Sequence, residues 1–340
     1  MTGGDRPIRV LVADDSELFR ELLSTVIAAD PGFDVVAVAA DGNAAAAAAR
    51  ELKPDVITMD LNMPDADGFS GIARIMAETP TPILVLTANR AEVVGFKALS
   101  LGALDIVEKP AATADLEAYG AQIRSRLKLL AGVKVIRHLR GLRGQRPRLP
   151  TASSRRTDLV VIGASLGGPR ALATLLKGLP AGFPAPLAIV QHIAEGFTGG
   201  LAGWLQQESK LEVREARDGD PLRPGRVLLA PSGAHLLVEE GRVRLSDAPP
   251  VDTFKPSVTP LFASAARAYG GRACGVLLTG MGRDGAEGLK TLKEAGAQTL
   301  AQDEATSVVF GMPKAAIDLG AVGRVLPLED IPRALVELTR

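Results

Sequence analysis

From residue 8 onward, short β-branched apolar runs alternate with stretches of helical spacing. Residues 8–13 form the first such run, and 16–29 carry Leu18, Leu22, Val26 and Ile27 at helical intervals. The alternation continues through runs at 35–39, 56–59, 83–87 and 106–107, with helical patterns at 43–52, 69–77, 91–100 and 114–130. Five predicted strands and five predicted helices in this order read as an open, doubly wound α/β sheet. The runs are continuously apolar, as expected of parallel strands covered on both faces. The alanines 44–49 are helix-forming sequence and call for no special role.

A second alternation begins at 159–162, a predicted strand that runs into Gly163-Ala-Ser165-Leu-Gly167-Gly168-Pro169 and then a helical stretch, 170–178. Predicted strands at 187–191 and 275–278 end at His192 and at Thr279-Gly-Met-Gly-Arg-Asp284-Gly. The reading is therefore an α/β chain of two domains, 1–125 and 158–340, joined by a connector, 126–157. The length of 340 residues exceeds what one compact core usually holds.

Composition is that of a globular protein, 46% hydrophobic and 23% charged. The formal net charge of zero hides segregation. Residues 1–123 hold nineteen acids and nine bases, net −10; residues 124–157 hold eleven bases and no acid; residues 158–340 carry a net of −1. The basic stretch has no aromatic residue to stack on bases, so a nucleic-acid contact is not expected of it. It reads as a helix tail to about Leu139 followed by a solvated hinge, complementary in charge to the acidic first domain or to an acidic partner. Cys274 lies in an apolar run and reads as a buried, inert thiol. The N-terminus shows no secretory signal, and the charge-free run 178–194 holds three prolines and two glycines, so neither export nor membrane insertion is expected and a cytoplasmic protein is.

In open α/β sheets ligands gather beyond the carboxyl ends of strands. There the first domain places Asp14, Asp15, Asp60, Thr87 and Lys109. Converging carboxylates repel unless a cation holds them, and oxygen-only ligands suit magnesium. In the second domain, Gly163-x-Ser165-x-Gly167 between strand and helix matches a nucleophile elbow, which exposes a serine hydroxyl on a sharp turn. His192 and Asp284 also follow strands, so Ser165, His192 and Asp284 can meet at one sheet edge as a nucleophile–base–orienter triad. His235, placed in a turn between short strands, reads as structural.

Asp14-Asp15, Met59-Asp60-Leu-Asn-Met-Pro64 with Gly68, Thr87-Ala88 and Lys109-Pro110 resemble the receiver domain of two-component response regulators over residues 8–125. The resemblance implies a flavodoxin-like (βα)5 fold in which a histidine kinase phosphorylates Asp60. It implies Mg²⁺ held by Asp14, Asp15, Asp60 and the backbone carbonyl of Asn62, phosphoryl contacts from Thr87 and Lys109, and a cis peptide before Pro110. The position three before Lys109, often aromatic in receivers, is Ile106.

Residues 158 to about 337 are similar to the catalytic domain of the chemotaxis protein-glutamate methylesterase family, CheB. The matching segments are Ile162-Gly-Ala-Ser165-x-Gly-Gly, Gln191-His192, Ala230-Pro231 with His235, Lys255-Pro-Ser-Val258, Leu278-Thr-Gly-Met-Gly-x-Asp284-Gly-Ala and the run 301–313. This resemblance implies a serine hydrolase that demethylates glutamyl γ-methyl esters and deamidates glutamines on chemoreceptors, activated by phosphorylation that uncovers the site. It assigns Ser165 as nucleophile, His192 as base, Asp284 as orienter and the Met281 amide as oxyanion donor, with no cofactor for hydrolysis. Leu166, Phe254-Lys255 and Thr259 depart from the family's usual threonine, His-Arg and acid, which bears on substrate preference. A phosphorylation-controlled binding module with a vestigial site is the competing expectation.

Overall fold

The structure is a computed structural model that describes residues 6–63, 68–88, 93–111, 115–133 and 156–340. The chain separates into two compact units, Met1–Gly144 and Gln145–Arg340. Most of the basic connector, and its predicted helix end, lie outside the described residues, as does Pro64.

In the first unit, strands β1 (Ile8–Ala13), β2 (Phe33–Ala39), β3 (Val56–Asp60), β4 (Ile83–Thr87) and β5 (Asp105–Glu108) form one sheet in the order β2-β1-β3-β4-β5. All neighbours are parallel. Helices α1 (Glu17–Ala28), α2 (Gly42–Leu52), α3 (Gly68–Glu78), α4 (Val93–Leu101) and α5 (Leu116–Ala131) alternate with them. β3 and β4 are buried at every residue, which is why their sequences do not alternate. Asp41 and Asp115 accept hydrogen bonds from the first-turn amides of α2 and α5, satisfying donors that a helix start leaves free. The alanines of α2 have a packing reason: Ala45, Ala46 and Ala49 are buried, and α2 lies so close to α3 that a Cβ on Gly71 would stand 2.8 Å from Gly42 Cα.

The second unit is built on a seven-stranded sheet. Its strands are β6 (Leu159–Ala164), β7 (Leu187–Gln191), β8 (Glu212–Glu215), β9 (Arg226–Leu229), β12 (Ala273–Leu277), β13 (Gln298–Gln302) and β14 (Arg324–Leu326). A separate antiparallel hairpin joins β10 (His235–Glu239) to β11 (Arg242–Ser246). The large sheet runs β14-β13-β12-β6-β7-β9-β8, parallel throughout. Helices α6 (Gly168–Lys177), α7 (Thr198–Glu208), α8 (Val258–Tyr269), α9 (Ala286–Glu294), α10 (Met312–Asp318) and α11 (Ile331–Leu338) complete the unit. The first strand in sequence, β6, sits between β7 and β12, so the chain order reverses across β6. That switch point is where such sheets open a crevice at their carboxyl ends.

Two local expectations change. His235 is the first residue of β10 and not part of a turn, because its backbone pairs with Ser246 across the hairpin. Among the described residues the only cis peptide is Lys255–Pro256, so the bond before Pro110 is not cis. Cys274 is fully buried, and burial pushes its thiol up to about 12. No helix among the described residues is long and apolar enough to cross a membrane.

Candidate active site

Ser165 stands at the turn between β6 and α6. Gly167 ends that turn at φ 76°, a left-handed conformation that glycine adopts without strain. Gly168 leaves room for Gln191, whose Oε1 would lie 2.0 Å from any Cβ there. The Ser165 amide donates to Thr279 O at 3.0 Å, and its carbonyl accepts from Gly168 N at 2.8 Å. Small residues in the elbow thus permit both the sharp turn and the approach of the neighbouring strand ends.

His192 follows β7 and is tied to the elbow through its backbone, with His192 N donating to Ala164 O at 2.9 Å. Gln191 strengthens the tie. Its buried amide nitrogen donates to Ser165 O and to His192 O, each at 2.8 Å. His192 Nε2 lies 2.8 Å from Asp284 Oδ2, and the two side chains are 7% and 2% exposed. The opposite ring nitrogen, Nδ1, is buried and has no hydrogen-bond partner. No hydrogen bond joins the Ser165 hydroxyl to His192 among the described residues; the structure pairs the His192 and Asp284 side chains and brings the Ser165 backbone to the neighbouring strand end.

Asp284 is held by more donors than a helix cap would need. Oδ2 accepts from His192 and from Val258 N at 2.7 Å; Oδ1 accepts from Ser257 Oγ at 2.7 Å, Thr259 Oγ1 at 2.8 Å and Thr259 N at 3.1 Å. Burial by itself raises the carboxyl, but the hydrogen bond and charge of His192, followed by the Val258 amide and the Ser257 hydroxyl, bring it down to about 2. Asp284 is therefore ionised at neutral pH and fixes the proton on Nε2, leaving Nδ1 as the basic nitrogen. That Ser257 and Thr259 hold Asp284 was not visible in the sequence, because their links to it cross 27 and 25 residues of chain.

The loop after β12 carries Met281, which is 43% exposed and whose amide is used in no hydrogen bond among the described residues. Thr279 fastens this loop: its amide donates to Gln302 Oε1 at 2.8 Å, and its hydroxyl donates to Leu166 O at 3.0 Å. Gly280 O accepts from Met312 N at 2.9 Å. A free amide on a braced loop beside the serine is what an oxyanion donor requires. Phe254, one of the departures noted in the sequence, stacks on His192 with ring centroids 4.0 Å apart and planes 3° from parallel. His235 is structural: Ser257 N donates to its Nδ1 at 3.2 Å, and its Nε2 lies 3.0 Å from Pro249 O.

In the first unit Asp14, Asp15 and Asp60 bring carboxylate oxygens within 4.8 Å of one another. Lys109 Nζ lies 2.7 Å from Asp14 Oδ2 and 3.0 Å from Asp60 Oδ2, and sits 4.7 Å from the centre of the Phe19 ring. Burial raises the Asp14 carboxyl and Lys109 opposes it; the ammonium is held up by both carboxylates against its own burial. Arg20 steadies the acidic turn by donating to the carbonyls of Asp14 and Asp15, at 2.7 and 2.9 Å. Thr87 ends β4 and its carbonyl accepts from Lys109 N at 2.8 Å. Three hard oxygen donors this close fit a small divalent cation, and Lys109 supplies positive charge between two of them. Asn62 is exposed beside Asp60. Ile106 is a buried core residue of β5, 3% exposed.

Comparison with known proteins agrees with this division. Residues 160–335 match the family described as CheB methylesterase, and residues 10–119 the response regulator receiver domain. The "Protein-glutamate methylesterase/protein-glutamine glutaminase 2" of Anaeromyxobacter dehalogenans (strain 2CP-C) is 76% identical over 340 residues, covering 100% of this chain and 99% of the relative. The "Protein-glutamate methylesterase/protein-glutamine glutaminase 4" of Myxococcus xanthus (strain DK1622) is 44% identical over 98% of each chain. The crystal structure of the Thermotoga maritima CheB methylesterase catalytic domain superposes with a TM-score of 0.52 at 42% identity, covering 54% of this chain and 98% of that one. With a receiver domain ahead of a parallel sheet whose switch point gathers serine, histidine and aspartate, the chain belongs to the CheB methylesterase family.

Proposed function

We propose that this protein is a phosphorylation-activated serine hydrolase that removes methyl groups from glutamyl γ-esters of chemoreceptors, and deamidates their glutamines, in the cytoplasm. The His192–Asp284 contact of 2.8 Å, with Nδ1 unpartnered, carries the reading. Ser165 Oγ attacks the ester carbonyl carbon as its proton passes to His192 Nδ1. Asp284 keeps the Nε2 proton and stabilises the imidazolium. The Met281 amide donates to the oxyanion, an interaction worth about 3–4 kcal/mol in such sites. As the tetrahedral adduct collapses, the imidazolium gives its proton to the leaving methoxide and methanol departs. Water, activated in turn by Nδ1, hydrolyses the acyl-serine and releases glutamate. An amide substrate follows the same course with ammonia as the leaving group.

The receiver supplies control. Asp60 is the phosphoacceptor, with a histidine kinase as donor, and Thr87 and Lys109 hold the phosphoryl oxygens. Asp14, Asp15, Asp60 and the Asn62 carbonyl would hold Mg²⁺, which when bound offsets the negative charge of the transferring group. Ester hydrolysis itself calls on no cofactor. The test is methanol release from methylated receptor membranes: Ser165→Ala lowers the rate by up to about 10⁶-fold, the scale of a triad serine. Retention of the rate in that variant overturns the assignment.

A further inference from the structure

Phe254 is presented to the catalytic imidazole by an unusual piece of backbone. Residues Val251 to Phe254 form a tight turn closed by two bonds, Phe254 N to Val251 O at 2.8 Å and Val251 N to Phe254 O at 3.1 Å. Its central residues, Asp252 and Thr253, have φ of 45° and 75°. Two successive positive φ values define the kind of turn that normally takes asparagine and glycine, and a β-branched threonine there is strained. Such strain persists only where the surroundings fix it. Those surroundings are specific. His235, 1% exposed, grips the segment on both sides, at Pro249 O and Ser257 N, and Lys255 Nζ donates to Asp247 O at 3.0 Å. Beyond the turn, Ser257 and Val258 donate to Asp284. One segment therefore covers the face of the base and holds its carboxylate partner.

Asp284 anchors His192 at Nε2 alone, which leaves the ring free to tilt and swing about that contact. A parallel aromatic ring at 4.0 Å removes that freedom. We propose that Phe254 is a positioning residue, whose ring fixes the plane of His192 so that Nδ1 stays aimed at Ser165 while Nε2 stays on Asp284, and that the strained Val251–Phe254 turn exists to hold it there. The inference rests on the hydrolase reading above and adds a residue that acts through His192. The face of the aromatic ring also carries negative electrostatic potential, so it favours the imidazolium formed as Ser165 attacks.

The test compares full-length Phe254→Leu and Phe254→Tyr with the unaltered chain, using methanol release from methylated receptor membranes. Leucine keeps the apolar bulk and loses the plane; tyrosine keeps the plane. Phe254→Leu is expected to lower kcat by about 10²-fold, the scale of an ångström-level misplacement, with KM within about twofold. Phe254→Tyr is expected to restore the rate to within a few-fold. A kcat for Phe254→Leu within twofold of the unaltered chain, equal losses in both variants, or a loss confined to KM overturns the proposal. A second measurement is independent of turnover. In the Ser165→Ala background, proton NMR of His192 shows an upfield ring-current shift that Phe254→Leu abolishes and Phe254→Tyr keeps; an unchanged shift in Phe254→Leu refutes the stack even if Ser165 is not the nucleophile.

Discussion

Thr259→Val isolates the hold on Asp284, because it removes one hydroxyl and leaves a side chain of nearly the same shape. The Thr259 hydroxyl makes two bonds: it donates to Asp284 Oδ1 at 2.8 Å and accepts from Gly285 N at 2.9 Å. Losing a hydrogen bond to a charged acceptor costs about 1.5–3 kcal/mol, and stranding the buried Gly285 amide adds about 1 kcal/mol or more. The catalytic unit should therefore lose about 2–4 kcal/mol at pH 7. The only tryptophan of the chain, Trp204, is buried in α7 of that unit, so denaturant unfolding followed by its emission reads this unit alone.

The sign with pH follows from the carboxyl. The Asp284 side chain titrates near 2 in the folded state against an ordinary 3.8, a difference that contributes about 2 kcal/mol. A folded-state value below the unfolded one stabilises above pH 3.8, and that stability is lost as pH falls through about 2. Removing a donor from the ionised carboxylate raises its folded value, so the stability gap between the two proteins is full at pH 7 and narrows as the pH drops below 3.8. Curves that coincide at pH 7, or a gap that widens in acid, would refute this account of the carboxylate.

Two further outcomes follow from the geometry. In Gly280→Ala the new methyl would stand 2.3 Å from Met312 Sδ and 2.7 Å from Ser165 Cβ, displacing the nucleophile; kcat for methanol release should fall by about 10²-fold, and Trp204 unfolding should show a loss of about 1–3 kcal/mol from overpacking. Asp60→Asn, or removal of divalent cations with EDTA, should abolish the stimulation of methanol release by a small phosphodonor and leave the unstimulated rate in place; stimulation that survives both would exclude Asp60 as the acceptor.

Much of the fold was legible because burial on two faces writes itself into local sequence. β3, β4 and β6 are buried at every residue, and each reads as a mainly apolar run with no polar alternation, the polar side chains falling at Thr58 and at the strand ends Asp60 and Thr87. The elbow was legible for a related reason: Gly167 must take a left-handed φ, and glycine there is a local mark of a long-range arrangement. Asp60, Thr87 and Lys109 were legible from their place at or just after strand ends, as were Ser165 and His192. The bracing roles of Ser257, Thr259 and Gln302 were not, since nothing in a serine, threonine or glutamine distinguishes a carboxylate or loop brace from an ordinary polar residue. Phe254 was visible only as a departure from a family pattern; that it stacks on His192 required knowing that a turn 62 positions later in the chain returns to the β7 edge.

The sequence by itself determined the five parallel strands of the first sheet, three central strands of the second and the residue types available at their ends, because periodicity, glycine placement and apolar runs are properties of neighbouring residues; the four outer strands of the second sheet emerged only in the tertiary structure. The tertiary structure alone decided which imidazole nitrogen faces Asp284, how many donors lower that carboxyl and which ring covers the base. Those outcomes depend on side-chain directions set across β6, β7, β12 and the Val251–Phe254 turn, and crossing distances of that kind leave no period in the chain.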